Sequence, residues 1–268
     1  MRHALMTRWW RFPPLTEEIQ FDEKWAFVYQ KERRCDPERL ADQYRGENWD
    51  HVAFDPEHRL VLEVVPGKRH QQQTRTLIRT AQRRTGGRVM RLLTSDEYRA
   101  YRTEILSAYG IQEEVTRTGK PGRPRTPKTI PSPDLLYATV HKTRRNGRVV
   151  HVEPRLQFGT EEGLEEALAL SPISHTVNTS FIERFNGTDR HRNSRKNRKT
   201  YRFSKNWDQH NASTYFTSYA YNFCWPLRSL PKPRGGGRFQ RRTPAMAAGL
   251  TDHIWTMKEW GTFPAEIR

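Results

Sequence analysis

The 268-residue chain is long enough for one large domain and carries 47 Lys and Arg against 30 Asp and Glu, a formal net charge of +17. So basic a chain points to a polyanionic partner, because each cation that neutralises a phosphate releases a condensed counterion; a basic chain bound to nothing in particular is the competing reading. Eight Trp, ten Tyr and twelve Phe exclude a disordered basic tail, and two distant cysteines, Cys35 and Cys224, exclude a zinc site or a disulfide framework.

No apolar run approaches a membrane span, so neither a membrane-spanning helix nor a secretory leader is expected. A cytoplasmic, nucleoid-associated protein follows. Residues 1–18 are basic and aromatic and read as a connector. From Glu18 to Val28, Ile19, Phe21, Trp25 and Phe27 alternate onto one face, which predicts a strand with Asp22 on the other. Two more strands are expected near 49–54 and 60–65, joined by a turn at Asp55–Arg59. Residues 71–84 predict a polar, Arg-rich helix that ends before Gly86 and Gly87. Arg88–Leu93 is a nearly continuous apolar run, the pattern of a strand covered on both faces. Thr94, Ser95 and Asp96 close it, and 97–108 predicts a helix. Three antiparallel strands followed by a helix-linked strand predict a mixed α/β sheet.

Residues 117–133 are rich in Pro and basic residues and suit neither a helix nor a central strand. Asn146-Gly147 between two apolar stretches, 135–143 and 148–158, is a hairpin signal. This hairpin and its basic leader are expected to be an insertion into the sheet domain. An acidic helix is predicted over 161–170, a long aromatic helix over 205–225, a Gly- and Arg-rich linker over 231–242 and a short helix over 244–260. Between them, Arg184 to Lys205 holds nine Lys or Arg against one acid, Asp189. If 180–192 is helical, Glu183, Asn186 and Arg190 share one face at i, i+3 and i+7, while Phe181, Ile182 and Phe185 pack inward.

Asp22 in the first strand and Asp96 at the mouth of the fourth can converge if those strands are neighbours, and a helix crossing that end can deliver Glu183. Converging carboxylates repel unless cations sit between them, and an oxygen-only donor set suits Mg²⁺ or Mn²⁺. Two such ions about 3.5–4 Å apart can activate an attacking oxygen and stabilise a leaving one at phosphorus. Each acid also has a structural alternative. Ser95 or Asp96 can cap the next helix, Ser180 and Glu183 fit a capping box, and Asp22 can be a solvated strand residue.

The stretches Ile19–Val28, Leu93–Tyr98 and Asn178–Asn186, with the basic run after the last, resemble the catalytic core of DDE-type insertion-sequence transposases; so does 243–255. The resemblance implies a ribonuclease H-like fold, read as a mixed five-stranded sheet flanked by helices and interrupted by the basic linker and hairpin. It implies a discontinuous catalytic domain over 19–112 and 171–230, the insertion over 113–170, and a C-terminal linker and helix over 231–268. Asp22, Asp96 and Glu183 would be the catalytic triad holding two Mg²⁺ or Mn²⁺ ions. Arg184, Asn186, Arg190, Arg192, Arg195 and Lys199 would grip double-stranded DNA, both element ends and target, with a homodimer or larger assembly at synapsis. Two departures stand out. The 86 residues between Asp96 and Glu183 exceed the compact form of the family, and the DNA-binding module that often precedes the core is expected to be missing or encoded elsewhere. Lys120–Arg125 also resembles an AT-hook, which would send Arg123 and Arg125 into a minor groove; a solvated basic linker is the alternative. A non-catalytic DNA-binding protein and a nuclease that cuts without joining are the rival functions.

Overall fold

A computed structural model of the protein describes residues 13–114, 126–197 and 199–263. Its frame is a six-stranded mixed sheet. The first three strands, β1 (Glu18–Val28), β2 (Gly46–Asp55) and β3 (Leu60–Gly67), are antiparallel neighbours. The β2–β3 turn is fixed by the Asp55 side chain, which accepts the His58 amide at 2.9 Å, with Arg59 at φ 56°. After α1 (Gln71–Arg84) the chain re-enters as β4 (Leu92–Ser95), parallel to β1, and leaves through α2 (Arg99–Tyr109). β5 (Ile111–Gln112) and β6 (Thr129–Ile130) make a short separate ladder.

The hairpin β7 (Tyr137–Arg145) and β8 (Arg148–Phe158) is not set apart from the sheet, as expected, but completes it: the strand order is β3-β2-β1-β4-β7-β8, with β7 parallel to β4. Six strands therefore replace the expected five. The cause lies in Leu135–Val140, an apolar run without alternation, which a strand needs when it is covered on both faces. Tyr137 packs with Ile19, Phe21 and Tyr101 on one face, while Ala138 and Val140 meet Leu164 and Ala167 on the other. The fourth strand, in turn, is shorter than its apolar run. Met90 is buried in the core without ladder pairing.

The first face is covered by α1 and α2, through Leu77, Ile78, Ala81, Tyr101 and Ile105. The opposite face carries α3 (Glu161–Leu170), α4 (Ser180–Arg192) and α5 (Trp207–Cys224), with Ile182, Phe185, Tyr219 and Tyr221 against Val52, Phe54, Val61 and Val64. Where a linker was expected, β9 (Leu227–Gly235) and β10 (Arg238–Arg242) pair as an irregular hairpin, whose turn glycines Gly235, Gly236 and Gly237 all have positive φ. The expected C-terminal helix is two short ones, α6 (Pro244–Ala247) and α7 (Met257–Thr262). Gly249 at φ +77° follows the first, and a Thr256–Glu259 capping box starts the second. No described helix is long and apolar enough to cross a membrane.

Candidate metal centre

The even-numbered residues of β1 face α4 and dock it. Gln20 accepts the Ile182 amide at 3.0 Å, one of the first-turn donors a helix cannot satisfy itself, and donates to the Asn178 carbonyl at 2.8 Å. Asn186 Nδ2 donates to Asp22 Oδ2 at 2.7 Å. Lys24 then pairs with Asp189. Two strand residues advance about 6.6 Å and four helical residues about 6 Å, so positions 20, 22 and 24 meet 182, 186 and 189 almost in step.

Lys24 and Asp189 belong to a buried quartet with Asp50 and Lys196, every side chain no more than 2 % exposed. Lys24 lies 3.2 Å from Asp50, Lys196 lies 3.6 Å from Asp189, and Lys196 also donates to Asp50. Thr217 of α5 donates to Asp189 at 3.1 Å. Burial alone would raise both carboxyls, but the two ammonium groups overcome it and hold Asp50 and Asp189 below the ordinary range. The far end of α4 is thereby fixed.

At the other end of this seam the charges do not cancel. The last β1–β4 pair is Phe21 with Ser95, so Asp22, midway along β1, and Asp96, just past the end of β4, are the next residues beyond the shared parallel ladder. Glu23 points to the opposite face, and one oxygen each from Asp22, Glu23 and Asp96 lies within 4.8 Å of the others. The Glu23 amide donates to Asp22 Oδ1 at 2.8 Å, the Tyr98 amide to Asp96 Oδ1 at 3.1 Å, and Arg69 to Glu23 Oε2 at 3.0 Å. Glu23 Oε1 is buried beside the Tyr101 hydroxyl without a well-aligned hydrogen bond. Burial, then the Asp96 charge, pushes Asp22 up to about 6 and Glu23 up to about 7; burial raises Asp96 as well. Three close carboxylates with no sulfur or imidazole among them fit a hard divalent cation such as Mg²⁺ or Mn²⁺.

Of the three acids singled out in the sequence, the fold brings Asp22 and Asp96 together and leaves Glu183 at the rim. Glu183 is half-exposed, accepts from Thr179 Oγ1 at 2.7 Å and pairs with Lys142 of β7. It is near enough to Asp22 to raise it further. The capping box does not form: α4 starts at Ser180 with Thr179 as its cap residue, and Glu183 bonds the Thr179 side chain. Asp96 does serve the turn before α2, through the Tyr98 amide. Lys142 lowers both Asp22 and Asp96, so four carboxylates face two cations, Lys142 and Arg69.

Glu23, Lys142 and Arg69 were not singled out in the sequence. Lys142 follows Ala138 and Val140 at two-residue spacing on one face of β7, and that spacing was the available signal for it. Among the expected DNA contacts, Arg184, Arg195 and Lys199 are exposed. Arg190 is half-buried and donates to the Trp25 carbonyl at 3.3 Å, and Arg192 stacks on Trp225 at 3.5 Å. Asn186 is buried against Asp22 and does not face outward. Arg123 and Arg125 lie outside the described residues.

No family model and no curated protein matches the chain. Among solved structures it is similar to a chain of the Mos1 transposase paired-end complex with left transposon end, at 23% identity and a TM-score of 0.22. The match covers 39% of this chain and 37% of that one. Agreement in shape that low assigns neither fold nor activity.

Proposed function

We propose that the protein is the catalytic subunit of a DNA transposase, performing metal-dependent cleavage and strand transfer on a ribonuclease H-like core. The observation that carries this is the meeting of Asp22 and Asp96 where the parallel β1–β4 ladder ends, with Asp96 at the carboxyl end of β4, the end at which open α/β sheets bind their ligands. The sheet order, with three antiparallel strands and then two parallel additions at β4 and β7, supports the core assignment.

Asp22, Asp96 and Glu183 are the residues that would hold two Mg²⁺ or Mn²⁺ ions, with Glu23 as a buried neighbour. Bound there, the ions supply activation of an attacking oxygen and stabilisation of a leaving one in an in-line displacement. Asn186 fixes the Asp22 carboxylate by donating to it, while Gln20 and the buried quartet hold the two ends of α4. Thr179 and Lys142 position Glu183 at the rim. Arg184, Arg195 and Lys199 face solvent and contact phosphates of double-stranded DNA, which sets position and not sequence. Cleavage at an element end frees a 3′-hydroxyl, and attack of that hydroxyl on target DNA joins the strands. Holding two ends together calls for a dimer or larger assembly on DNA.

The test incubates the protein with end-containing duplex and target plasmid in Mg²⁺ or Mn²⁺. Nicked and joined products are expected, and Asp96→Asn should abolish both while DNA affinity stays largely intact. Joining by Asp96→Asn would overturn the site. Nicking without joining would make the protein a nuclease, and binding without either would make it a non-catalytic DNA-binding protein.

A further inference from the structure

On the side of α4 away from Lys142 lies a cavity of about 1200 Å³, larger than the roughly 300–1,000 Å³ typical of small-molecule pockets. Its floor is Phe54, Phe185 and Tyr221, and the β9–β10 hairpin forms one wall. Five arginines line it, Arg59, Arg184, Arg192, Arg228 and Arg241, and no carboxylate does. Among the described residues none of the five has an ion-pair partner. Arg59 and Arg184 are near enough for the charge of one to disfavour the charge of the other. Like charges gathered with no carboxylate among the lining residues make a concave site for an anion.

The cavity is also aromatic at its mouth. Arg192 covers one side of the Trp225 indole at 3.5 Å, which is still 51% exposed, and Phe239 on the hairpin is 65% exposed. Arg59 lies over Phe181 at 4.0 Å. An inorganic anion has no use for these rings, and a duplex presents phosphates on a convex surface with its base faces hidden. An unpaired nucleotide offers both a phosphate and a stacking face, and grooves for single strands combine cations with aromatic platforms in this way. Beyond Arg228 and Arg241, the segment 226–242 adds four Lys or Arg, at 232, 234, 238 and 242, and no acid.

We propose that this groove binds unpaired DNA nucleotides, with phosphates on Arg59, Arg184 and Arg241 and bases stacked on Trp225 and Phe239. It shares with the function above the polymer, DNA, and one phosphate contact, Arg184, and does not depend on the metal centre.

The experiment measures fluorescence anisotropy of a labelled ten-nucleotide oligo-dT and of a duplex of equal length, compared at matched salt and followed through a salt series. Trp225→Ala combined with Phe239→Ala should weaken oligo-dT binding tenfold or more, the order expected for one or two lost stacked bases, and leave the duplex within twofold. Phe239→Ala alone, at a solvent-facing position, should show the same selectivity with the fold intact by circular dichroism. Trp225→Phe should retain binding, and Arg59→Gln with Arg241→Gln should flatten the salt dependence for oligo-dT. Unchanged oligo-dT affinity in the aromatic variants, equal losses for both DNA forms, or an unmodified protein that ignores oligo-dT would overturn the proposal. Selective loss without metal-dependent cutting would leave the groove standing and sink the catalytic function; cutting without selective loss would do the reverse.

Discussion

Asp22 and Lys24 are two residues apart on one face of β1, yet they sit in opposite electrostatic settings. Around Lys24, two ammonium groups and two carboxylates are buried together, the charges cancel, and Asp50 and Asp189 are held ionised. Around Asp22, four carboxylates meet two cations, and burial first, then neighbouring carboxylate charge, pushes Asp22, Glu23 and Asp96 up. A balanced cluster is complete without a ligand and serves to dock α4. An unbalanced one, anchored by that docking, carries a standing repulsion that a divalent cation relieves. Burial is common to both, so charge balance separates a structural network from a candidate active site.

The largest expected effect breaks the balanced side. Asp189→Ala leaves Lys24 and Lys196 facing a single acid, and a loss of about 3–5 kcal/mol in urea unfolding is expected, regardless of metal. On the unbalanced side the sign reverses. Asp22→Asn removes a repelled charge and keeps a group that can bond Asn186, so without divalent ions it should stabilise the protein by up to about 3 kcal/mol at pH 8. With its folded pKa raised to about 6 from 3.8, Asp22 favours the folded state at low pH, and that contribution is lost as pH rises through 6. The stability gap between the variant and the unmodified protein should therefore open between about pH 4 and 6 and stay level above. A gap that opened on acidification would mean that Asp22 is stabilised, not strained.

Adding Mg²⁺ or Mn²⁺ at a hundred times its dissociation constant should stabilise the unmodified protein by about 2.7 kcal/mol, seen as a rise in melting temperature that EDTA reverses. Asp22→Asn and Asp96→Asn should not respond. The smallest effect concerns the outward cations. Arg195→Gln with Lys199→Gln should weaken duplex binding equally across sequences and flatten its salt dependence by up to about 0.9 per lost contact. Asn186→Ala, on the inward face of the same basic segment, should leave affinity alone and lower cleavage.

Local pattern carried much of the fold. Alternation marked β1 from Glu18 to Val28, and helical periodicity marked Gln71–Arg84 and Glu161–Leu170, with the bounds the structure shows. Asp22 was legible as the acid on the polar face of an alternating strand, and Asp96 because it closes the apolar run of the fourth. What escaped depends on pairing between distant segments. Tyr137–Val140 joins β4 in parallel, and only that pairing carries Lys142 to Glu183, 41 residues on. Lys196 reads as one more cation of an exposed field, and its burial with Asp50 is invisible without the sheet. Pro231, Pro233 and three glycines read as a linker because regular strands avoid them; the β9–β10 ladder accommodates them with register shifts.

The most direct test of the metal centre is Mn²⁺ binding to the intact protein, followed by electron paramagnetic resonance of the free ion. Binding should be lost in Asp22→Asn and in Asp96→Asn and retained in Asp50→Asn, whose acid belongs to the balanced cluster. Mn²⁺ binding indifferent to Asp22 and Asp96, or lost only with Asp50, would contradict the account.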